Sequence, residues 1–209
     1  MLNLAIAVNP RACAVCLLLC VTSTPSAIAQ TQPHTELGVQ FVTASSSEFD
    51  ATDLGVSVTA SWRPNEKFGP EGEVAFYLKD FPDAPAFSSS RIEVLGGVSG
   101  GPQVRTVRPF AKARAGFVAF QEAPGPFACI AIFPPPLQCV LAAGKTVLAI
   151  DLGGGIEIYP TGRTFVRVDV SDRALRYPGT VLDANGQVRN DPFFSHDLRF
   201  AIGGGVRFR

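Results

Sequence analysis

Three adjacent residues near the end of the chain carry the functional groups of an acyl-transfer site. Ser195, His196 and Asp197 supply a hydroxyl, an imidazole and a carboxylate, which activate a serine nucleophile when they converge in space. Adjacent residues of a strand point to opposite faces, so Ser195 and His196 are poorly placed to share a hydrogen bond. We interpret His196 as a loop-end or interfacial residue and His34 as a tail residue. We therefore predict no catalytic residue and no enzymatic activity.

A second candidate set is charged and recurs at alternate positions of several segments. Acids and bases that face one another in a narrow interior pair and fill it, whereas isolated buried charges are very costly. We therefore predict a structural charge network that fixes strand register. A transport path is the alternative, and a general porin is disfavoured. The predicted network consists of Glu73, Glu93, Arg114, Asp151, Glu157, Arg167, Asp169, Arg199 and Arg207.

The first 29 residues have the pattern of a secretory signal. Arg11 precedes an apolar run from Ala12 to Val21, and the small residues Ala27 and Ala29 predict cleavage after Ala29. The apolar run is shorter than the ~20 residues that a membrane-spanning helix needs. We predict a cleaved signal over 1–29 and a single domain over 30–209. An uncleaved anchor and a lipoprotein that uses Cys20 are alternatives.

Removal of the signal leaves Cys129 and Cys139 out of five cysteines. Two cysteines in an exported chain predict one disulfide between them, with a loop-closure contribution of about 2 to 3 kcal/mol. A metal site is disfavoured because two cysteines without a nearby histidine fall short of the usual ligand set. The runs Gly153–Gly155 and Gly203–Gly205 are not followed by a helical pattern, as a phosphate loop would be. We expect neither a metal nor a cofactor.

The charge balance gives no bulk electrostatic reason for binding nucleic acid. The chain has 18 Lys plus Arg against 18 Asp plus Glu, and removing Arg11 with the signal leaves it close to neutral. Strong nucleic-acid binding usually requires an excess of positive charge. We therefore expect no nucleic-acid partner, and other partners have to be argued from local features.

The elements that position these residues follow a period of two, which is the signature of strands. The sequence predicts eight strands. Their bounds are Glu36–Thr43, Asp53–Arg63, Glu73–Lys79, Arg91–Ser99, Thr106–Phe120, Thr146–Tyr159, Thr164–Ser171 and Asp197–Phe208.

The connections between the predicted strands alternate between long and short. The short ones contain turn-forming residues, as in Arg63-Pro64-Asn65 and Tyr159-Pro160-Thr161-Gly162. Short turns at one end and long loops at the other are typical of bacterial outer-membrane barrels. The predicted outer loops are Thr43–Thr52, Asp80–Ser90, Gln121–Lys145 and Asp172–His196.

Each predicted strand separates an apolar face from a charged face. The last strand places Leu198, Phe200 and Ile202 on one face, and Arg199 and Arg207 on the other. The charged face is also rich in Gly and Ala, which a narrow interior needs between long side chains. Aromatic residues fall near strand ends on the apolar face, as at a membrane interface. These features favour a membrane barrel. A soluble, lipocalin-like carrier with an apolar interior is the alternative.

Three segments carry a resemblance to a known family. Arg108–Phe117, Leu148–Ile158 and Leu198–Phe208 resemble the small eight-stranded outer-membrane β-barrel family, the OmpA/OmpX-like domains of the porin-like superfamily. The resemblance implies an all-β, eight-stranded, antiparallel up-and-down transmembrane barrel. It also implies extracellular loops with roles from envelope anchoring to adhesion. The family usually ends on the aromatic residue, whereas here Arg209 follows Phe208.

The predicted function is non-enzymatic, with an envelope-integrity or surface-interaction role carried by the loops. A lipid-modifying outer-membrane enzyme and a soluble periplasmic carrier are the alternatives. We expect a monomer in the bacterial outer membrane. Its expected partners are membrane lipid, lipopolysaccharide, the barrel assembly machinery during insertion, and a surface ligand at the loops. We interpret the third and fourth loops as packing on the barrel itself. The alternative is contact with partners through Phe127, Ile130, Ile132 and Phe133 in the third loop, and through Arg173, Arg176, Tyr177, Arg189, Phe193 and Phe194 in the fourth.

Overall fold

The computed structural model describes residues 33–49, 51–65, 67–77, 90–122 and 133–208. The predicted signal over 1–29 and the terminal Arg209 lie outside these residues, so cleavage after Ala29 stays a prediction. Among the described residues, no helix is long and apolar enough to cross a membrane.

The alternating segments form strands, and several of these strands extend beyond their predicted ends. Within the described residues the chain forms ten strands and one short helix. Their bounds are β1 His34–Ser46, β2 Ala51–Arg63, β3 Phe68–Tyr77, β4 Arg91–Gly100, β5 Val107–Phe120, α1 Leu137–Ala142, β6 Thr146–Ile158, β7 Thr164–Tyr177, β8 Val181–Leu182, β9 Val188–Arg189 and β10 Phe193–Phe208.

Eight of the strands close into a barrel in the order β1-β10-β7-β6-β5-β4-β3-β2. Every neighbouring pair is antiparallel, and β1 joins β10 in a register that pairs Thr35 with Phe208 and Ser46 with Asp197. Strands β8 and β9 form a separate hairpin between β7 and β10. The predicted all-β, eight-stranded, antiparallel up-and-down barrel is confirmed.

Side chains of opposite character alternate along each strand, so the closed sheet has a charged inner face and an apolar outer face. In β1 the burial pattern alternates along nearly its whole length, with Glu36 and Gln40 inside and Val39 outside. Small residues on the inner face leave space for the larger side chains beside them. A Cβ on Gly205 would lie 2.6 Å from Cζ of Phe165, which fills the interior beside it.

The two ends of the barrel differ in their connections. The turn end carries the short segments 64–67, 101–106 and 159–163, and the loop end carries the others. The side chain of Asn65 accepts hydrogen bonds from the backbone N–H groups of Lys67 and Phe68, each at 3.0 Å. Such an Asx turn holds two strands close together without a longer connection.

Several predicted boundaries were wrong. Strand β3 begins at Phe68 rather than Glu73, and β7 continues to Tyr177 while β10 begins at Phe193. The fourth loop is therefore shorter than Asp172–His196 and contains the hairpin of β8 and β9. Helix α1 in the third loop was not predicted at all. Tertiary pairing extends strands into residues whose sequence also suits a loop.

Candidate functional site in the barrel interior and at its loop end

The interior of the barrel holds the charged residues that the sequence singles out. Each of them lies on the inward face of its strand and is almost completely buried. They are Glu73, Glu93, Arg114, Asp151, Glu157, Arg167, Asp169, Arg199 and Arg207. The structure therefore brings the whole predicted set into one lumen.

A turn-end group forms around two glutamates. Arg63 Nε donates to Glu36 at 2.7 Å, and Arg207 Nη2 lies 2.9 Å from the same carboxylate. Glu157 binds Arg108 Nη1 at 2.7 Å. The Tyr159 hydroxyl donates toward both carboxylates, at 3.0 Å to Glu36 and 2.7 Å to Glu157. These contacts fill the lumen at the turn end.

A central group surrounds Arg114. Its guanidinium contacts Asp151 at 2.6 Å, Glu73 at 2.5 Å and Glu71 at 3.3 Å. Arg167 donates to both carboxylate oxygens of Glu71, from Nη1 at 2.8 Å and from Nη2 at 2.9 Å. This two-pronged geometry is among the strongest that an arginine makes with a carboxylate. The group also contains Lys112 and Asp169, which are 2.5 Å apart.

A loop-end group forms around Arg173, which pairs with Glu93 and lies 2.6 Å from Asp197. Arg91 pairs with Asp53 nearby. The Tyr77 hydroxyl accepts hydrogen bonds from Arg173 and from Arg199, each at 3.2 Å. Tyr77 therefore joins the loop-end group to Arg199 and, through the contact of Arg199 with Glu73, to the central group.

Charges inside the described part of the barrel are balanced. Its lumen contains nine acids and nine Arg or Lys residues, and ion pairs connect them from one end to the other. The acids are Glu36, Asp53, Glu71, Glu73, Glu93, Asp151, Glu157, Asp169 and Asp197; the bases are Arg63, Arg91, Arg108, Lys112, Arg114, Arg167, Arg173, Arg199 and Arg207.

The predicted network omits nine lumen residues. Four of them, Glu36, Arg63, Arg91 and Lys112, lie on the charged face of the predicted strands, whereas the other five were not assigned to the interior from the sequence. Alternation within the predicted strand Thr106–Phe120 places Arg108 on the same face as Lys112 and Arg114, so the sequence was sufficient to assign it to the interior. Glu71 was placed in a turn, Arg173 in a loop, and Asp53 and Asp197 at strand starts that extend further than predicted. His34, predicted to be a tail residue, is instead the first residue of β1 and is buried, 3.5 Å from Glu36.

The loop end of the lumen is closed by apolar side chains. Helix α1 turns Leu137 and Leu141 into the barrel mouth, where both are fully buried. They belong to a cluster with inward-facing residues of β4 to β7, and the hairpin adds Val181. The remaining members are Leu95, Val118, Phe120, Val147, Ala149, Leu175 and Tyr177. We call Leu137, Leu141, Val181 and these residues the apolar cap.

The loops above the apolar cap are tied to one another. The backbone N–H of Leu182 donates to the carbonyl of Pro135 at 3.0 Å, joining the fourth loop to the third. The N–H of Ala184 donates to Glu48 at 2.9 Å, joining the fourth loop to the first. Three loops therefore support one another over the closed mouth.

The hairpin of β8 and β9 turns around Asp183. Its carboxylate accepts hydrogen bonds from the backbone N–H of Gln187 at 2.8 Å and of Asn185 at 3.0 Å, and Arg189 Nε donates to it at 3.0 Å. The Gln187 hydrogen bond and the other donors hold the pKa of Asp183 below its usual value. The hairpin is thus fixed by a charged group.

The structure separates the three residues that resembled a catalytic site. Ser195 points inward and lies 3.3 Å from Ser47, and Asp197 points inward to Arg173. His196 points outward, with Nδ1 2.8 Å from the exposed Asp172 carboxylate. No single site contains the three groups.

Among the predicted loop contacts, Phe133 is 86% exposed, whereas Tyr177 is buried in the apolar cap. Arg173 lies in the lumen and pairs with Glu93, so it is not available as a contact residue of the fourth loop. Phe127, Ile130 and Ile132 lie outside the described residues. Cys139 lies in α1, but Cys129 also lies outside them, so the disulfide stays a prediction.

The outer surface of the barrel is apolar. Val39, Leu152 and Ile202 are 46% to 57% exposed, and such a continuous surface would be costly in water. Aromatic residues accompany it near both ends, with Phe41, Trp62, Phe68, Phe117, Phe200 and Phe208 all more than 40% exposed. Apolar outside and charged inside is the arrangement of a barrel that stands in lipid.

Comparison with one solved structure supports the same fold. The crystal structure of Neisserial surface protein A aligns with a TM-score of 0.56 at 15% identity, over 84% of this chain and 97% of that chain. The fold is that of a small outer-membrane barrel. The N-terminal β-barrel domain of Pseudomonas aeruginosa OprF aligns with a TM-score of 0.49 at 12% identity, over 86% of this chain and 100% of that chain. The outer membrane protein OprG from the same organism aligns with a TM-score of 0.47 at 13% identity, over 86% of this chain and 97% of that chain.

Comparisons of sequence alone give no match, either to a family model or to a curated protein. The location therefore follows from the barrel itself. A closed barrel satisfies all of its backbone polar groups internally, as lipid requires. With short turns at one end and loops at the other, this chain is a bacterial outer-membrane barrel, and the apolar interior of a lipocalin-like carrier is excluded by the charged lumen.

Proposed function

We propose that this chain is a non-enzymatic, non-conducting outer-membrane scaffold whose loops serve envelope integrity or surface interaction. The observation that carries the proposal is the filled interior. Balanced ion pairs occupy the described lumen, and helix α1 closes its loop end. A side chain that is committed to several ion pairs cannot leave to make room for a solute without exposing a buried opposite charge.

The network has a structural role in this proposal. Each arginine of the central group contacts carboxylates from two or more other strands, as Arg114 does with β3 and β6. A shift of one residue in strand register would turn these groups toward lipid. Ion pairing across the lumen therefore favours one register over its neighbours.

The loop surface provides the part that partners can reach. Phe133 and Val188 are exposed on the connected third and fourth loops, at 86% and 53%. Exposed apolar side chains on a supported loop are typical of contact surfaces. We assign the surface ligand to this end, lipid and lipopolysaccharide to the apolar belt, and recognition by the assembly machinery to β10, which ends with the outward Phe208. The scaffold acts as a monomer.

Electrophoresis and conductance test the proposal together. We expect the purified chain, folded in detergent, to migrate differently before and after boiling, and to give no stable channels in a planar bilayer. Stable unitary conductance would contradict the closed lumen. A monomer that is soluble without detergent would contradict the membrane barrel.

The loop role needs a cellular readout. In an outer membrane that lacks the chain, we expect increased entry of a large apolar dye, which the wild-type chain restores. Phe133→Ser keeps the barrel but should restore less, whereas Phe117→Leu on the lipid-facing surface should restore fully. Equal restoration by both variants would argue against the loop contact. Altered acylation of membrane lipids upon expression would contradict the non-enzymatic assignment.

A further inference from the structure

Three polar side chains interrupt the apolar outer surface at one place. In the described barrel strands, Asp172 and Arg176 of β7 and His196 of β10 are the only ionisable residues on the outward face. An ionisable residue that faces lipid is costly unless it has a partner or reaches the interface. Their common position therefore calls for a functional explanation.

Strand register places the three side chains in one column. Arg176 pairs with Phe194, and His196 pairs with Ala174, so His196 is the diagonal neighbour of Arg176. Asp172 pairs with Leu198 and is diagonal to His196 on the other side. Diagonal neighbours on one face lie about 7 to 8 Å apart at Cα, within reach of long side chains.

The depth of Arg176, at the outer end of the column, matches the lipid headgroups. Arg176 is the twelfth residue after Thr164, which lies at the turn end of β7. Twelve steps correspond to about 30 Å along the membrane normal for a tilted strand, against an apolar band of about 25 Å. Neighbouring aromatic residues support this depth. Arg176 lies in one row across the sheet with Phe117, Leu148 and Phe194, which pair in that order from β5 to β10. The guanidinium thus emerges at the level of an aromatic girdle.

Charges within the column leave a positive end. The Asp172 carboxylate is 2.8 Å from His196 Nδ1, which leaves the other ring nitrogen, Nε2, without a partner among the described residues. Arg176 has no ion pair in the part of the chain that the structure describes. Exposed leucines, Leu152 and Leu198 at 57% and 62%, flank Asp172. The column is therefore a row of polar side chains with exposed apolar side chains on both sides.

We propose that Arg176, assisted by Nε2 of His196, binds the phosphate of a phosphorylated lipid headgroup in the outer leaflet, with Asp172 positioning the imidazole. A planar guanidinium suits the oxygens of a phosphate, and the flanking leucines suit the acyl chains of the same molecule. The inference rests on the proposed function, because it requires the barrel to stand in the outer membrane.

Binding of a defined lipid tests the site. The full chain, folded in detergent, is titrated with bisphosphorylated lipid A, and the bound fraction is followed by native mass spectrometry. We expect Arg176→Gln to weaken binding about tenfold, as expected for the loss of a charged hydrogen-bonding group. His196→Gln should give a smaller loss. Arg163→Gln, an exposed arginine at the turn end, serves as the matched control and should bind as wild type does.

Dephosphorylated lipid A separates headgroup from acyl-chain recognition. We expect it to bind the wild type as weakly as bisphosphorylated lipid A binds Arg176→Gln, and millimolar inorganic phosphate not to compete. Equal binding of both lipids, or an unchanged affinity of Arg176→Gln in a heat-modifiable barrel, would overturn the site alone. A chain that does not fold in detergent or bilayer would overturn the proposed function as well.

Discussion

The two parts of the barrel interior are filled by opposite chemistry. From the turn end to the loop-end group, the lumen is held by ion pairs such as those of Arg114 with Asp151 and Glu73. Above them, the mouth is filled by the apolar side chains of the apolar cap, which include Leu137 and Leu141 of α1. Both parts fill the described interior, but a charge network does so through specific pairing and an apolar cluster through packing.

This difference has a consequence for stability. Removing one member of a buried ion pair leaves its partner uncompensated, so the charged part should respond sharply to single substitutions. The apolar cap consists partly of loop elements, and loops open with smaller free energies than the barrel strands. The charged part should therefore determine global stability, and the apolar cap should determine the order of the loops.

The largest effect is expected from Arg114→Ala. The change leaves Asp151, Glu73 and Glu71 without their shared cation, and we expect a loss of about 3 to 5 kcal/mol in the free energy of unfolding. Urea titration of the barrel in micelles, followed by tryptophan fluorescence and gel mobility, measures it. Arg163→Ala, at an exposed turn, should change it by less than about 0.5 kcal/mol. Similar values for both variants would contradict a stabilising network.

Leu141→Ala should loosen the apolar cap while leaving the barrel closed. The lost packing corresponds to about 2 to 4 kcal/mol, and we expect it to appear as faster hydrogen exchange over 137–145 with an unchanged heat-modifiable band. Gln138→Ala on the same helix is the control. Conductance should stay absent in both variants, since the ion pairs below still fill the lumen. Channel opening in Leu141→Ala would show that the cap alone closes the barrel.

Tyr77→Phe tests the connection between the loop-end group and the central group within the charged part. Its hydroxyl accepts hydrogen bonds from Arg173 and Arg199, so the substitution should cost about 1 to 2 kcal/mol. Denaturant unfolding measures the change against Phe76→Leu, which alters the outward neighbour of Tyr77. A loss no greater than that of the control would remove Tyr77 from the coupling between the groups.

The smallest effect is expected at Asp183 in the fourth loop. Hydrogen bonds lower its pKa below the ordinary value of 3.8, so its contribution to hairpin order is complete above that value and is lost as the pH falls through the lower pKa of the folded loop. Amide resonances of Gln187 should shift with that titration in the folded barrel. Asp183→Asn should abolish the shift, and a Gln187 titration that persists in this variant would assign it to another group.

Much of the barrel could be predicted from the sequence because strand alternation is a local property. The charged face of β10, with Arg199 and Arg207, can be recognised from the alternation within this segment alone. It does not depend on which strands lie beside β10. Strand ends are different. Arg173 and Asp197 continue the inward alternation of β7 and β10, but the sequence around them also suits a loop, and only pairing between the two strands decides the outcome.

The candidate lipid site could be predicted least. Asp172 and His196 are 24 residues apart in the chain, and each alone has the pattern of a loop residue. Their contact depends on the register between β7 and β10, which no local pattern contains. The same holds for α1, whose six residues are too few for a recognisable helical stripe and are stabilised by the barrel mouth that they fill.

The sequence by itself determined the number of barrel strands, the face of each that carries charge and the side of the barrel with long loops, because these follow from period-two alternation and turn chemistry. Only the tertiary structure decided which acid meets which base, how far the strands extend and what closes the mouth. Those properties depend on contacts between residues far apart in the chain, and their energies exist only once the barrel has closed.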